Sequence, residues 1–252
     1  MSATILVTRP AGQAAPLSDV LRAHGIGVVE VPAVEIDTAS CAADLDRMLD
    51  TLDTADWLVI TSANGATALA GRLHANGRSL PSDLRVAAVG PTTADALTAS
   101  GIRVDHVPGQ YLTVAIVDGL GDLAGRRVVL ARADAATPAL RDALRARGAR
   151  LEEVVAYRTV EGPPASRDAL RVALERPLDG IAFTSGSTVR GLLRLADAAA
   201  RSTIEGLPAY CIGPVTADVA RRSGLRVAGM ATTHTAAGLA RTIASQLARE
   251  IA

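Results

Sequence analysis

Ala88–Asp95 reads AVGPTTAD, and Cys211–Asp218 reads CIGPVTAD. In each, an apolar run stops at glycine, proline follows, and a threonine precedes the pair Ala-Asp. Proline suits the first position of a helix, where an N–H would have no partner anyway, so both stretches read as the turn from a buried strand into a helix. Two further pairs share the spacing. Arg9 in ILVTRP (5–10) corresponds to Arg132 in VVLARA (128–133), and Thr61-Ser62 in LVITSAN (58–64) to Thr184-Ser185 in IAFTSGS (181–187). Gly90 and Gly213, Arg9 and Arg132, Ser62 and Ser185 are each 123 residues apart, and Gly25 with Gly148, Glu30 with Glu153 and Ser100-Gly101 with Ser223-Gly224 extend the match. A constant offset over half the chain predicts two copies of one unit.

Within each copy a short β-branched run, a turn and an amphipathic helical stretch alternate, the pattern of βαβ units around a parallel sheet. Strands are expected near Ile5–Thr8, Val28–Val31, Trp57–Ile60, Val86–Val89 and Val104–Val107. In the second copy they are expected near Val128–Leu130, Leu151–Val155, Ile181–Phe183, Tyr210–Ile212 and Arg226–Val227. Leu17, Val20 and Leu21, like Leu140 and Leu144, have the spacing of a helix packed on one face. Gly25 and Gly148 fall where a C-terminal cap glycine belongs. The predicted fold is α/β, a doubly wound parallel sheet formed twice. Linker-like stretches at Ala33–Ser40 and Tyr157–Pro164 are natural crossing points between lobes. If the chain crosses at both, the copies are interlaced; two consecutive lobes split near Gly125 are the simpler alternative, and pattern alone does not choose.

The 252 residues carry 26 basic and 26 acidic side chains, so net charge draws the chain to neither nucleic acid nor an anionic membrane. Lysine is absent, which excludes a Walker A lysine and a Schiff-base lysine. Aromatic residues make up 2%, too few for a base-stacking platform, while 49% hydrophobic residues can still form an aliphatic core. Cys41 and Cys211 lie far apart without metal-ligand spacing and read as buried thiols. No stretch has the length and apolarity of a membrane span, and no signal peptide is visible, so a cytoplasmic protein is expected.

In open parallel sheets, ligands gather at the carboxyl ends of the strands, and the repeated motifs all fall there. Ser62 or Asn64, and Ser185 or Ser187, suit helix capping. At Gly90-Pro91 and Gly213-Pro214 the residue before the helix has no capping side chain, leaving helix amides for an anionic oxygen, with the hydroxyls of Thr93 and Thr216 beside them. Arg9 follows a first strand in what reads as a turn, where a guanidinium can hold a carboxylate through two parallel hydrogen bonds. Arg132 occupies the matching place. Tyr157 has Val34 as its counterpart, so it breaks the symmetry at a predicted crossing, and its phenol can give a proton to a leaving oxygen. His24, His74, His106 and His234 show no mutual spacing, and most read as surface residues.

VTRP (7–10), TSANG (61–65), VGPTTADAL (89–97), AYRT (156–159), FTSGS (183–187) and IGPVTAD (212–218), in this order over essentially the whole chain, resemble uroporphyrinogen-III synthases. The resemblance implies two flavodoxin-like lobes joined by a two-stranded connection. Residues 1–36 with 160–252 would form one lobe, 37–159 the other, with the active-site cleft between them. It implies a cofactor-free, monomeric enzyme that cyclises linear hydroxymethylbilane to uroporphyrinogen III. Water is lost, and the terminal pyrrole ring is inverted through a spiro intermediate. Tyr157 would then assist departure of the hydroxide. Thr61, Ser62, Thr93, Ser185, Ser187 and Thr216 would bind the carboxylates of the substrate, and Arg9, from its place at the first turn, is expected to bind with them. The chain departs from the family pattern at Gly186, where relatives often have proline, and at Val215, which replaces the first threonine of GPTT.

Two competing readings come from other classes. A non-catalytic two-lobe module closing on a small anion would explain the repeat equally well, but gives no reason for the ordered motif set. A nucleotide-dependent transferase is disfavoured by the missing lysine and by the lack of GxGxxG at the first turn.

Overall fold

The computed structural model describes residues 3–109 and 114–251; Tyr111 lies outside them. The chain divides into two compact units, one made of Met1–Glu35 with Val160–Ala252, the other of Ile36–Thr159.

The first unit opens with β1 (Thr4–Val7), α1 (Ala15–Ala23) and β2 (Gly27–Glu30). Its later part holds α6 (Arg167–Leu174), β8 (Gly180–Phe183), α7 (Gly186–Leu195), α8 (Ala198–Gly206), β9 (Ala209–Cys211), α9 (Pro214–Arg222), β10 (Val227–Met230) and α10 (Ala236–Ile251). The second unit contains β3 (Val34–Asp37), α2 (Ala42–Leu49), β4 (Trp57–Ile60), α3 (Ala63–Ala75), β5 (Arg85–Ala88), α4 (Pro91–Ala99), β6 (Arg127–Ala133), α5 (Ala139–Ala146) and β7 (Arg150–Glu161). Both β3 and β7 run past the limits of the second unit into the first.

The strand order is β2-β1-β8-β9-β10 in one sheet and β3-β7-β6-β4-β5 in the other. The neighbours β1–β2, β1–β8, β8–β9 and β9–β10 are parallel, as are β4–β5, β4–β6 and β6–β7. Both sheets are covered on both faces, which the strands register residue by residue. Ile5 and Val7 pack into one apolar cluster with Leu17, Leu21 and Leu239, whereas Leu6 packs into another with Leu192, Phe183 and Ile204. In β4, Leu58 and Ile60 join Leu45 and Leu69, while Trp57 and Val59 join Leu140 and Leu144. Alternation sends successive side chains to opposite faces, so a strand that is apolar at every position must have helices on both sides. The result is a doubly wound α/β fold.

Helices stop where glycine permits a backbone reversal. Gly25 and Gly148 follow α1 and α5 with φ of 75° and 81°, a region that side-chain-bearing residues avoid. Cys41 and Cys211 are buried free thiols, and burial pushes Cys211 up to about 11. Among the described residues no helix is long and apolar enough to cross a membrane.

Two expectations need correction. Val104–Val107 is not a strand: the segment makes an isolated bridge, His106 to Ala87, at the edge of β5. The side chain of Asp105 accepts the Val86 N–H at 2.8 Å, taking up a donor that a longer ladder would use. The stretches read as linkers, Ala33–Ser40 and Tyr157–Pro164, hold β3 and the last part of β7, which are neighbours in one sheet. Pairing these strands satisfies backbone groups that a bare linker would have to leave to water.

Candidate functional site

The sequence-derived candidates all lie beyond the carboxyl ends of parallel strands or, for Tyr157, near the end of one. Four fall in each unit: Thr61, Ser62, Thr93 and Tyr157 in Ile36–Thr159, and Arg9, Ser185, Ser187 and Thr216 in the other.

In the second unit β4 ends at Ile60, and Ser62 is extended (φ −156°, ψ 156°) as the N-cap of α3. Its Oγ accepts the Gly65 N–H at 3.1 Å and donates to the Tyr157 phenol oxygen, also at 3.1 Å. One hydroxyl therefore joins a helix start to a strand 95 residues away. Tyr157 is 7% exposed and packs among Ile60, Ala131 and Ala156. Its direction follows from a register shift between β6 and β7: Arg132 pairs with Val155 but Ala133 with Tyr157, and the extra residue re-aims the next side chain. At the neighbouring turn Gly90 starts α4 with no side-chain cap. Thr93, in the first turn, is buried, and its hydroxyl makes no hydrogen bond among the described residues. It differs in this from Thr67, whose Oγ1 returns to the Ala63 carbonyl of its own helix at 3.0 Å. Thr61 is half-buried and likewise makes no side-chain hydrogen bond among the described residues.

In the first unit Ser185 caps α7 in a reciprocal arrangement. Its Oγ accepts the Thr188 N–H at 3.2 Å, while its own N–H donates to Thr188 Oγ1 at 3.3 Å. Ser185 Oγ also meets Ser187 Oγ at 2.8 Å. Gly213 starts α9 uncapped, and Thr216 is buried with its hydroxyl unengaged among the described residues.

The two first-strand arginines differ. Arg132 is buried, gives Nη2 to Glu153 at 2.7 Å and Nη1 to the Thr137 carbonyl at 2.5 Å. Arg9 has neither an ion pair nor a hydrogen bond among the described residues, and its Nε is buried without a partner. Burial accordingly pushes its guanidinium below its ordinary value. A half-buried cation without a counter-charge is costly, and pairing it with an anion offsets that cost.

Two side chains outside the quoted motifs also sit at these turns. A Cβ at Gly213 would lie 3.2 Å from the His234 ring, and one at Gly186 would lie 3.2 Å from Arg190 Nη1. For Arg190 a signal was present in the sequence: a residue four after a glycine on a helix shares its face, and glycine leaves room for it. For His234 there was none, since only tertiary packing brings residues after β10 to the start of α9. Among the described residues no three His, Cys, Asp or Glu side chains are grouped as a metal site.

Several known proteins are similar to this chain in sequence or in fold. A family model described as uroporphyrinogen-III synthase HemD matches residues 15–241. The uroporphyrinogen-III synthase of Synechococcus elongatus is 34% identical over 246 residues, covering 94% of this chain and 92% of that protein. Among solved structures, a mutant uroporphyrinogen III synthase from Thermus thermophilus superposes with a TM-score of 0.65 at 21% identity, over 98% of this chain and all of that one. The uroporphyrinogen-III synthetase of Helicobacter pylori 26695 gives a TM-score of 0.63 at 16% identity over the full length of both chains. These two structures bear on the fold.

Proposed function

The chain belongs to the uroporphyrinogen-III synthase family, and on that premise we propose how its residues close linear hydroxymethylbilane into uroporphyrinogen III. The enzyme is a lyase-class cyclase of porphyrin biosynthesis acting on a small molecule. The alternative of a non-catalytic anion-binding module is not favoured. In the reaction the terminal hydroxyl leaves, and the resulting azafulvene is attacked by the far pyrrole at its substituted carbon. The spiro intermediate breaks and recombines, so the last ring is inverted.

Tyr157 is the proton donor in this proposal. As the C–O bond breaks, the departing hydroxide takes the phenol proton and leaves as water; the phenolate recovers a proton when the closing pyrrole loses its own. The observation that supports this role is the Ser62–Tyr157 hydrogen bond. It holds the phenol oxygen at the start of α3, where the positive end of the helix dipole steadies a transient phenolate. The substrate carries eight carboxylates. Arg9, which has no ion-pair partner among the described residues, supplies a cation for one of them, and the turns at Thr61-Ser62, Thr93, Ser185-Ser187 and Thr216 supply amides and hydroxyls for others. Holding the chain of pyrroles in a reactive fold, more than proton transfer, accounts for most of the rate. We further propose that the enzyme works as a monomer in the cytoplasm; sedimentation at working concentration and cell fractionation test these points.

The activity test generates hydroxymethylbilane in situ, adds the protein, oxidises the product and separates type I from type III uroporphyrin. Type III well above a protein-free control is expected. Type I alone, with folded protein, refutes the reading and favours an anion-binding module.

A further inference from the structure

We propose that Arg190 is a further substrate-binding residue, whose Nη1 takes a substrate carboxylate at the Ser185–Ser187 turn while Glu161 positions its guanidinium. The inference rests on the reading that this turn belongs to the substrate site.

Arg190 lies one turn along α7 from Gly186, and helical side chains lean toward the N-terminus, so its head lies beside the turn rather than beyond it. Glu161, the last residue of β7, accepts both Nε and Nη2 on one oxygen, at 2.9 and 2.6 Å. That occupies one edge of the guanidinium and leaves Nη1 without a partner among the described residues. Gly186 makes the placement fit: a Cβ there would lie 3.2 Å from Nη1 and 3.0 Å from Val219 Cγ2. Ser185 and Ser187 flank Gly186 in the chain, and their hydroxyls lie 2.8 Å apart.

The local charge is unbalanced in the direction a polycarboxylate requires. Arg194 also reaches Glu161, at 3.4 Å, so two guanidiniums share one carboxylate and the cluster keeps a net positive charge. Glu161 is itself well anchored. Its side chain is only 13% exposed, and the next residue, Gly162, donates its N–H to the Ala33 carbonyl at 2.9 Å. Arg190 remains half-exposed and reachable. A guanidinium held along one edge has already lost most of its rotamer freedom, so binding a carboxylate on the other edge costs little additional ordering.

The test compares wild type, Arg190→Ala and Arg194→Ala by KM and kcat for in-situ hydroxymethylbilane, by equilibrium titration with uroporphyrin III, and by melting temperature. Arg190→Ala is expected to raise KM and to weaken uroporphyrin III binding by about tenfold each, the loss of one charge-assisted contact, with kcat little changed. Arg194→Ala, which loses a contact with the same glutamate but stands a further turn away, is expected to keep wild-type KM. Glu161→Gln should raise KM by a smaller factor than Arg190→Ala. Arg190→Ala with wild-type KM and uroporphyrin affinity, whatever its melting temperature, would show that the residue only braces β7, and the inference falls. If Arg190→Ala does not fold, Arg190→Gln carries the same two expectations. Failure of wild type to make the type III isomer overturns the underlying functional reading instead, and this inference with it.

Discussion

Arg9 and Arg132 are 123 residues apart, both lie at the carboxyl end of a β-strand, and they have come to opposite uses. Arg132 is neutralised inside its own unit by Glu153 and a backbone carbonyl. Arg9 is half-buried, with no counter-charge among the described residues. The serines that begin α3 and α7 diverge in the same way. Ser185 is bound into a closed capping box, while Ser62 caps its helix and also reaches a phenol. The second unit thus commits its arginine to an ion pair and links its capping serine to a tyrosine; the first has no partner for its arginine among the described residues and links its capping serine to Ser187. The turn at a strand end fixes where a side chain is offered, and its neighbours decide whether that side chain is already engaged.

The comparison can be broken most sharply at Tyr157. Tyr157→Phe is expected to lower kcat by about 100-fold with little change in KM, as for loss of a general acid. Full activity would leave fold and reaction in place but remove the phenol from the mechanism. Next come the arginines. Arg9→Ala is expected to raise KM about tenfold without lowering the melting temperature. Arg132→Ala should instead cost roughly 2 kcal/mol of stability, less than a fully buried pair because Glu153 is partly exposed, and leave KM near wild type. The opposite assignment, with stability falling at Arg9 and KM rising at Arg132, would overturn the distinction between them. Denaturant melts and steady-state kinetics on the same preparations decide it.

Smaller effects are expected at the hydroxyls. Thr93→Val and Thr216→Val replace, on buried residues, hydroxyls that have no partner among the described residues by an isosteric methyl, so stability should hold while KM increases severalfold. A loss of stability with unchanged KM would mean that the hydroxyls serve the protein rather than the substrate. Ser62→Ala differs, because it removes a cap worth about 1 kcal/mol in addition to the phenol contact.

The smallest expected effect concerns acid. The hydrogen bond from Arg72 holds the Asp46 carboxyl below its ordinary range, with Asn76 adding a second contact. A depressed carboxylate contributes stability that is complete above its unfolded value and is lost as pH falls through its folded value. Melting of wild type against Asp46→Asn should therefore differ at neutral pH and converge in strong acid. A gap that persists unchanged at low pH would assign the effect to packing.

Much of the α/β fold was legible from local pattern. Runs such as Leu58–Ile60 and Ile181–Phe183 are apolar at every position and end at turn residues, as a short strand covered on both faces does. The glycines at 25 and 148 and the prolines at 91 and 214 mark helix ends through their own backbone limits. Less legible was Val104–Val107, whose β-branched residues promised a strand that tertiary pairing reduced to one bridge. The same holds for β3 and the end of β7, which look like linker in sequence and are strands because each finds a neighbour.

By itself, then, the sequence determined what backbone chemistry and periodicity can carry: alternating strands and helices, the positions of their turns, the exclusion of lysine chemistry, and the hydroxyls and arginines placed at strand ends. Tertiary structure alone decided which of those groups are engaged. That Ser62 meets Tyr157, that Glu153 neutralises Arg132 while Arg9 has no partner among the described residues, and that Arg190 stands in the space left by Gly186 are all outcomes of packing. A side chain's charge and reach are properties of its residue type, whereas its free energy depends on what the fold brings within a few ångströms of it.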